Sequence, residues 1–353
     1  MNHNTTPSTR RYDIDWIRVI AIFLLIFFHA LLAFIPSVAQ SIQIIGSDEP
    51  LHELWPLAAL LNIWRIPILF VISGMGVAFA MRRRTLRELL IDRSKRLLIP
   101  YILGICTIGP LISFIVNKYL HISFVYLPTH RHLWFLLNIW LYAMLYSTLF
   151  YRLKNQPNRN FLAGVRVLLA SPWALYLFAI PYILEELLVV DIYTIYHTMH
   201  GFVLGAIAFG MGFLFIEAGD VFWQTVKTRR WLFLGIAFSL YLVRLIVFRL
   251  KSPMLFLSST ESISWIYAIL GFGYTYLNYS NKWLVYLSKA IYPVYILHYL
   301  FQAIGSYFIM RLEIPVLLQL LLLCVFIMAG SFATYEWVLK RSGKFQWLFG
   351  MFK

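Results

Sequence analysis

A histidine placed inside a run of apolar residues is the feature of this chain that most needs a chemical reason. The stretch RVIAIFLLIFFHALLAF, Arg18 to Phe34, carries His29 eleven residues after Arg18. Asp15, Arg18, Ile22, Leu25 and His29 follow the 3, 4, 3, 4 spacing of one helical face. Arg18 and His29 therefore point the same way, about 16 Å apart along the axis at 1.5 Å rise per residue. An imidazole exchanges its proton close to neutral pH, which suits general-base or nucleophilic work. A cation at the mouth of a polar stripe and an imidazole at its end describe a lined path for an elongated anion. A plainer reading also stands: Arg18 reaches lipid phosphates, and His29 bonds a neighbouring helix.

Other polar residues in apolar surroundings widen the set. In MRRRTLRELLIDRSKRLLIPY, Arg93 and Arg96 lie one helical turn apart, a spacing at which two guanidiniums clamp phosphates. The basic run also serves orientation alone. RIPILFVISGMG, Arg65 to Gly76, puts a proline one turn into a helix and then Ser73, Gly74 and Gly76, which allow a kink and close backbone approach. HRHLWFL, His130 to Leu136, and YPVYILHYL, Tyr292 to Leu300, add His130, His132, Trp134 and His298. Two histidines at i and i+2 without a carboxylate are a poor ligand pair, so no metal is expected. Glu185 and Glu186, followed by Asp191, His197 and His200, suggest a wet cavity at one end of the bundle.

The elements that must hold these residues are membrane helices. Of 353 residues, 61% are hydrophobic and 13% charged, more apolar surface than one soluble core can hide. Apolar runs long enough to cross the hydrocarbon layer recur at 14–36, 57–81, 97–117, 133–151, 168–190, 199–217, 231–250, 262–279, 283–308 and 315–338. The expectation is an all-α polytopic membrane protein of about ten transmembrane helices. It forms one domain over 1–353 with short cytoplasmic tails at 1–12 and 339–353. Placing both termini in the cytoplasm leaves 23 of the 30 Lys and Arg on that side, as the positive-inside bias requires. The net charge of +15 is thus topological, and no nucleic-acid partner is expected. Cys106 and Cys324 fall in apolar runs and are expected to be buried, free of a disulfide. No cleavable leader is expected, and no P-loop, GxSxG or Rossmann fingerprint occurs.

Taken in order, these motifs resemble the acyltransferase-3 family of membrane O-acyltransferases. The family's first-helix pattern, a basic residue, ten residues, then histidine, is matched by Arg18 and His29, with Asp15 in DWIR before them. Its Arg-x-x-Arg matches Arg93 to Arg96 followed by RLLIPY, and its PLFFxLSGF resembles PILFVISGMG, with Ala78 where a serine is usual. The wording of RIPILF and HLWFL is similar to the branch that includes glucan succinyltransferases of bacterial envelopes.

The resemblance implies transfer of an acetyl or succinyl group from cytoplasmic acyl-CoA to an extracytoplasmic carbohydrate hydroxyl, in a bacterial inner membrane. Acyl-CoA would be a co-substrate, with no tightly bound cofactor; the oligomeric state stays open. Arg18, Arg93 and Arg96, with Ser73, would bind the donor. His29 and Asp15 would carry the chemistry. Arg65, His132, Trp134, Glu185 and His298 would line the substrate side. Arg65 and Arg244 are expected to pair with Glu185 or Glu186; the alternative is a carboxylate on the acyl group. The main rival is a transporter of an anionic solute, for which intramembrane Arg and His would also serve.

Overall fold

The structure is a computed structural model and describes residues 10–155, 159–193, 197–250 and 255–352. Among these residues there is no strand. The main helices are α1 (Tyr12–Leu32), α2 (Trp55–Met81), α3 (Leu86–Tyr119), α4 (Trp134–Asn155), α5 (Arg159–Ala170), α6 (Ala179–Tyr193), α7 (His197–Glu217), α8 (Asp220–Thr228), α9 (Arg230–Ile246), α10 (Leu255–Tyr276), α11 (Lys282–Ile309) and α12 (Val316–Thr334). Among the described residues seven helices are long and apolar enough to cross a membrane, or eight if the bent pair α5–α6 counts as one span. The difference from the expected ten has local causes. Helix α9 has 17 residues, about 26 Å at the α-helical rise, short of a full hydrocarbon layer. Helix α10 carries Ser258, Ser259, Glu261, Ser262 and Ser264, which lower its hydropathy. The expected span 168–190 is broken: Phe161–Ala170 and Ala174–Leu188 meet at 119°, because Pro172 cannot continue a helix through Ser171.

Helix α1 sits at the centre, against α2, α10, α11 and α12. Asp13 and Asp15 occupy its first turn, where the helix dipole favours an acid, and Pro36 stops it. Helices α2 and α7 approach backbone to backbone: a Cβ at Gly74 or Gly212 would collide with the carbonyl of Phe209 or Val71. The outward face of α12 presents Leu317, Leu321 and Val325, all exposed, as a lipid-facing helix does. Cys106 is exposed and Cys324 half-buried, which corrects the expected burial: an apolar side chain facing lipid needs no core.

Prolines inside the helices leave carbonyls four residues back without their helical donor. At three of them a neighbouring side chain supplies it. Pro67 frees the carbonyl of Ile63, which accepts from Ser262 Oγ at 2.8 Å. Pro100 frees that of Arg96, which accepts from Tyr292 Oη at 2.7 Å. Pro110 frees that of Cys106, which accepts from Tyr126 Oη at 2.9 Å. Two π turns, Ser94–Leu98 and Gly104–Ile108, accompany the last two prolines in α3. These bonds tie α2 to α10 and α3 to α11, which sets the elements that carry the polar residues.

Candidate active site

The polar residues gather at two ends of α1. At the Arg18 end, Asp15 accepts two bonds from Arg10, at 3.0 and 2.9 Å, and lies 3.5 Å from Arg18. Asp15 is fourteen residues from His29, about 21 Å along the axis. The structure therefore does not bring these two together, and Asp15 orients Arg18. Arg93 and Arg96 precede the expected span 97–117. They stand on the first turns of α3, which starts early because Thr85 and Glu88 form a capping box. Arg93 donates from Nη2 to the carbonyl of Gly76 at 3.1 Å, and its buried Nε has no partner. Arg93 thus meets the turn of α2 that holds Ser73, whose Oγ donates to the Leu69 carbonyl at 2.7 Å. Arg96 is shared: it pairs with Asp92 at 2.9 Å, and Asp92 also takes Arg84 at 2.6 Å. Arg18, Arg84 and Arg96 all lie within electrostatic reach of Arg93. This is a cationic cluster with Asp92 inside it and Asp15 beside Arg18. The middle of the stripe, Ile22 and Leu25, is packed in the core.

At the other end, three histidines from three helices converge. His29 Nδ1 lies 2.9 Å from His298 Nε2, with the rings nearly parallel. His298 Nδ1 bonds the carbonyl of Tyr295. A carbonyl only accepts, so His298 Nδ1 carries a hydrogen. In neutral His298, Nε2 is then an acceptor, and His29 Nδ1 must donate to it. That leaves the lone pair of His29 on Nε2, outside the chain of bonds. His298 and the Tyr295 carbonyl orient His29 much as a carboxylate orients a catalytic imidazole. His132 is buried; its Nε2 donates to the Ile296 carbonyl at 3.1 Å, and its own carbonyl accepts from Tyr295 Oη at 2.7 Å. The His132 and His298 ring centres are 4.8 Å apart, and Tyr299 stacks on His132 and meets His29 edge-on. Gln302 Nε2 donates to the His29 carbonyl at 2.7 Å, bolting α11 to α1.

Sequence reasoning found His29, His132 and His298 but missed Tyr295, Tyr299 and Gln302. Their signal was present: Tyr295, His298, Tyr299 and Gln302 share one face of α11 at helical spacing. His130 stands apart from the three rings and bonds Tyr101 Oη at 3.2 Å.

The expected pairing of Arg65 and Arg244 with Glu185 or Glu186 is corrected. Arg244 makes a bidentate pair with Glu261, at 2.7 and 2.9 Å, and also donates to the Ala59 carbonyl. The α9–α10 hairpin sets these two residues face to face, so Glu261 reaches Arg244 before any acid on α6 can. Glu185 bonds His200 Nδ1 at 2.8 Å, and Glu186 accepts from Ser259 Oγ at 3.0 Å. Arg65 lies over the Phe28 ring, 3.6 Å from its centre. Trp134 packs against Phe70 and beside Gly201, the residue after His200. The side chains of Asp191 and His197 lie outside the described residues.

A family model described as an acyltransferase domain matches residues 11–336 of the chain. Comparison with curated proteins and with solved structures gave no match. The matched region holds both ends of the α1 stripe and all three convergent histidines.

Proposed function

With the chain a member of the acyltransferase-3 family, and with acyltransferase activity and several membrane spans as its frame, we propose a membrane O-acyltransferase that carries an acetyl or succinyl group from cytoplasmic acyl-CoA to a hydroxyl of an extracytoplasmic carbohydrate, such as an envelope glycan. The observation that carries this reading is the bond chain Tyr295–His298–His29, which leaves His29 Nε2 as the free base.

The two ends of α1 divide the work. Arg18 and Arg93, with Arg96 and the Ser73–Gly76 turn, form the donor end, where guanidiniums meet the nucleotide phosphates. The roughly 16 Å between Arg18 and His29 is of the order of a pantetheine arm's reach; with Ile22 and Leu25 packed in the core, the arm would pass beside that face of α1. At the far end His29 Nε2 takes the proton of the acceptor hydroxyl as it attacks the thioester. Trp134 offers a flat face and the Glu185–His200 pair polar contacts for a sugar. Both termini lie in the cytoplasm of a bacterial inner membrane, in keeping with the distribution of Lys and Arg.

Purified protein given acyl-CoA and an envelope glucan is expected to release CoA thiol and to add acyl mass to the glucan. Arg93→Gln is expected to raise the KM for acyl-CoA by roughly 10–100-fold, the loss of one charge-assisted hydrogen bond, with kcat little changed. Transport of an anion with no thiol release would favour the transporter reading. CoA binding as tight in Arg93→Gln as in wild type would make the basic cluster topological only.

A further inference from the structure

Arg65 is a buried charge for which the base reading has no task. It is 2% exposed, and its Nε and Nη1 have no hydrogen-bond partner among the described residues. Its guanidinium rests on Phe28, the residue before His29, and lies within electrostatic reach of His29 and His298. The acids that could have closed it are committed elsewhere: Glu185 to His200, Glu186 to Ser259 and Glu261 to Arg244. A cation held rigidly in an apolar interior with no counter-ion is costly. Held within electrostatic reach of a reactive imidazole, it suits an anion that exists only during the reaction, because a fixed charge in a water-poor site needs no reorganisation to meet it.

We propose that Arg65 stabilises the oxyanion of the acyl-transfer step, an inference that rests on His29 being the base. The acceptor oxygen forms a bond to the thioester carbonyl carbon, and its proton passes to His29 Nε2. The carbonyl π pair moves onto oxygen, and the resulting alkoxide sits between the His29 imidazolium and Arg65. Collapse restores the carbonyl and breaks the C–S bond, and the departing thiolate takes the proton from His29. Stacking on Phe28 fixes the guanidinium plane while leaving its N–H edges free for the oxygen.

The test compares wild type, Arg65→Gln, Arg65→Met and Arg65→Lys as purified full-length protein, with acetyl-CoA and succinyl-CoA as donors. Steady-state kinetics and CoA binding are both measured. Arg65→Gln and Arg65→Met are expected to lower kcat by about 10²–10³ with both donors, as loss of an oxyanion donor does, while KM and CoA affinity hold. Arg65→Lys is expected to recover part of the rate. A loss confined to succinyl-CoA and carried by KM would overturn the proposal, since Arg65 would then read a carboxylate on the acyl group. Wild-type kcat in either folded neutral variant would also overturn it, and so would failure of both to fold, which would make Arg65 a structural charge. His29→Gln run in parallel separates the two readings. If that variant turns over normally, the base assignment fails. If it is inactive while the Arg65 variants are fully active, only the oxyanion role falls.

Discussion

Arg65 and Arg244 are both buried arginines of this bundle, and their surroundings are opposite. Arg244 meets Glu261 through two charge-assisted bonds and a backbone carbonyl besides. Arg65 has the face of Phe28 against it and His29 and His298 within electrostatic reach. Burial is nearly the same, at 9% and 2% exposed, so burial alone does not tell structure from function. The partner does. A cation closed by a resident acid holds two helices together. A cation left open beside a free imidazole nitrogen holds a place for something that arrives.

The largest effect that would sharpen this contrast is expected at His29. His29→Gln keeps the volume and a donor toward His298 but cannot take a proton at neutral pH. Acyl transfer should fall by about 10²–10⁴, with CoA binding kept, because the arginine cluster is three turns away. Normal turnover by folded, CoA-binding His29→Gln would turn the histidine cluster into packing.

Next comes the closed pair. Arg244→Ala leaves the Glu261 carboxylate buried alone and is expected to cost roughly 3–5 kcal/mol, read as a lowered unfolding midpoint in detergent. Arg244→Met combined with Glu261→Leu should regain most of that loss, since both charges leave together. Arg65→Met should cost far less than Arg244→Ala. Equal destabilisation by the two single variants would break the comparison.

The smallest effect concerns the bonds that hold the scaffold. Tyr292→Phe removes the donor to the Arg96 carbonyl freed by Pro100 and is expected to cost about 1 kcal/mol. The KM for acyl-CoA should rise with it, because that turn of α3 carries Arg93 and Arg96. A stability change with no shift in KM would detach the π turn from donor binding.

Much of this molecule was legible in the chain itself. The all-α membrane architecture followed from apolar run length, and the shared face of Arg18 and His29 from the α-helical period. The breaks at Pro67, Pro100 and Pro110 are equally local, because a missing N–H acts four residues back whatever the fold. The capping box at Thr85 and Glu88 is local too, so the early start of α3 that carries Arg93 and Arg96 is written in the chain. The resemblance gives Asp15 a part in the chemistry, and the face it shares with His29 says nothing about a separation of four turns.

Other features were decided only by how the helices turn toward one another. His29 and His298 are 269 residues apart, and no local spacing pairs them. The donor–acceptor order is set within α11, where the Tyr295 carbonyl fixes the hydrogen on His298 Nδ1; docking of α11 on α1 then brings His29 Nδ1 to the remaining nitrogen. Which acid closes which arginine followed the same rule: the α9–α10 hairpin put Glu261 in front of Arg244, while α6 turned Glu185 toward His200. The local chain determines which residues share a face and at what height, since helix rise and period are intrinsic to the backbone. Rotation and docking of helices determine which faces meet, and so left Arg65 open beside His29.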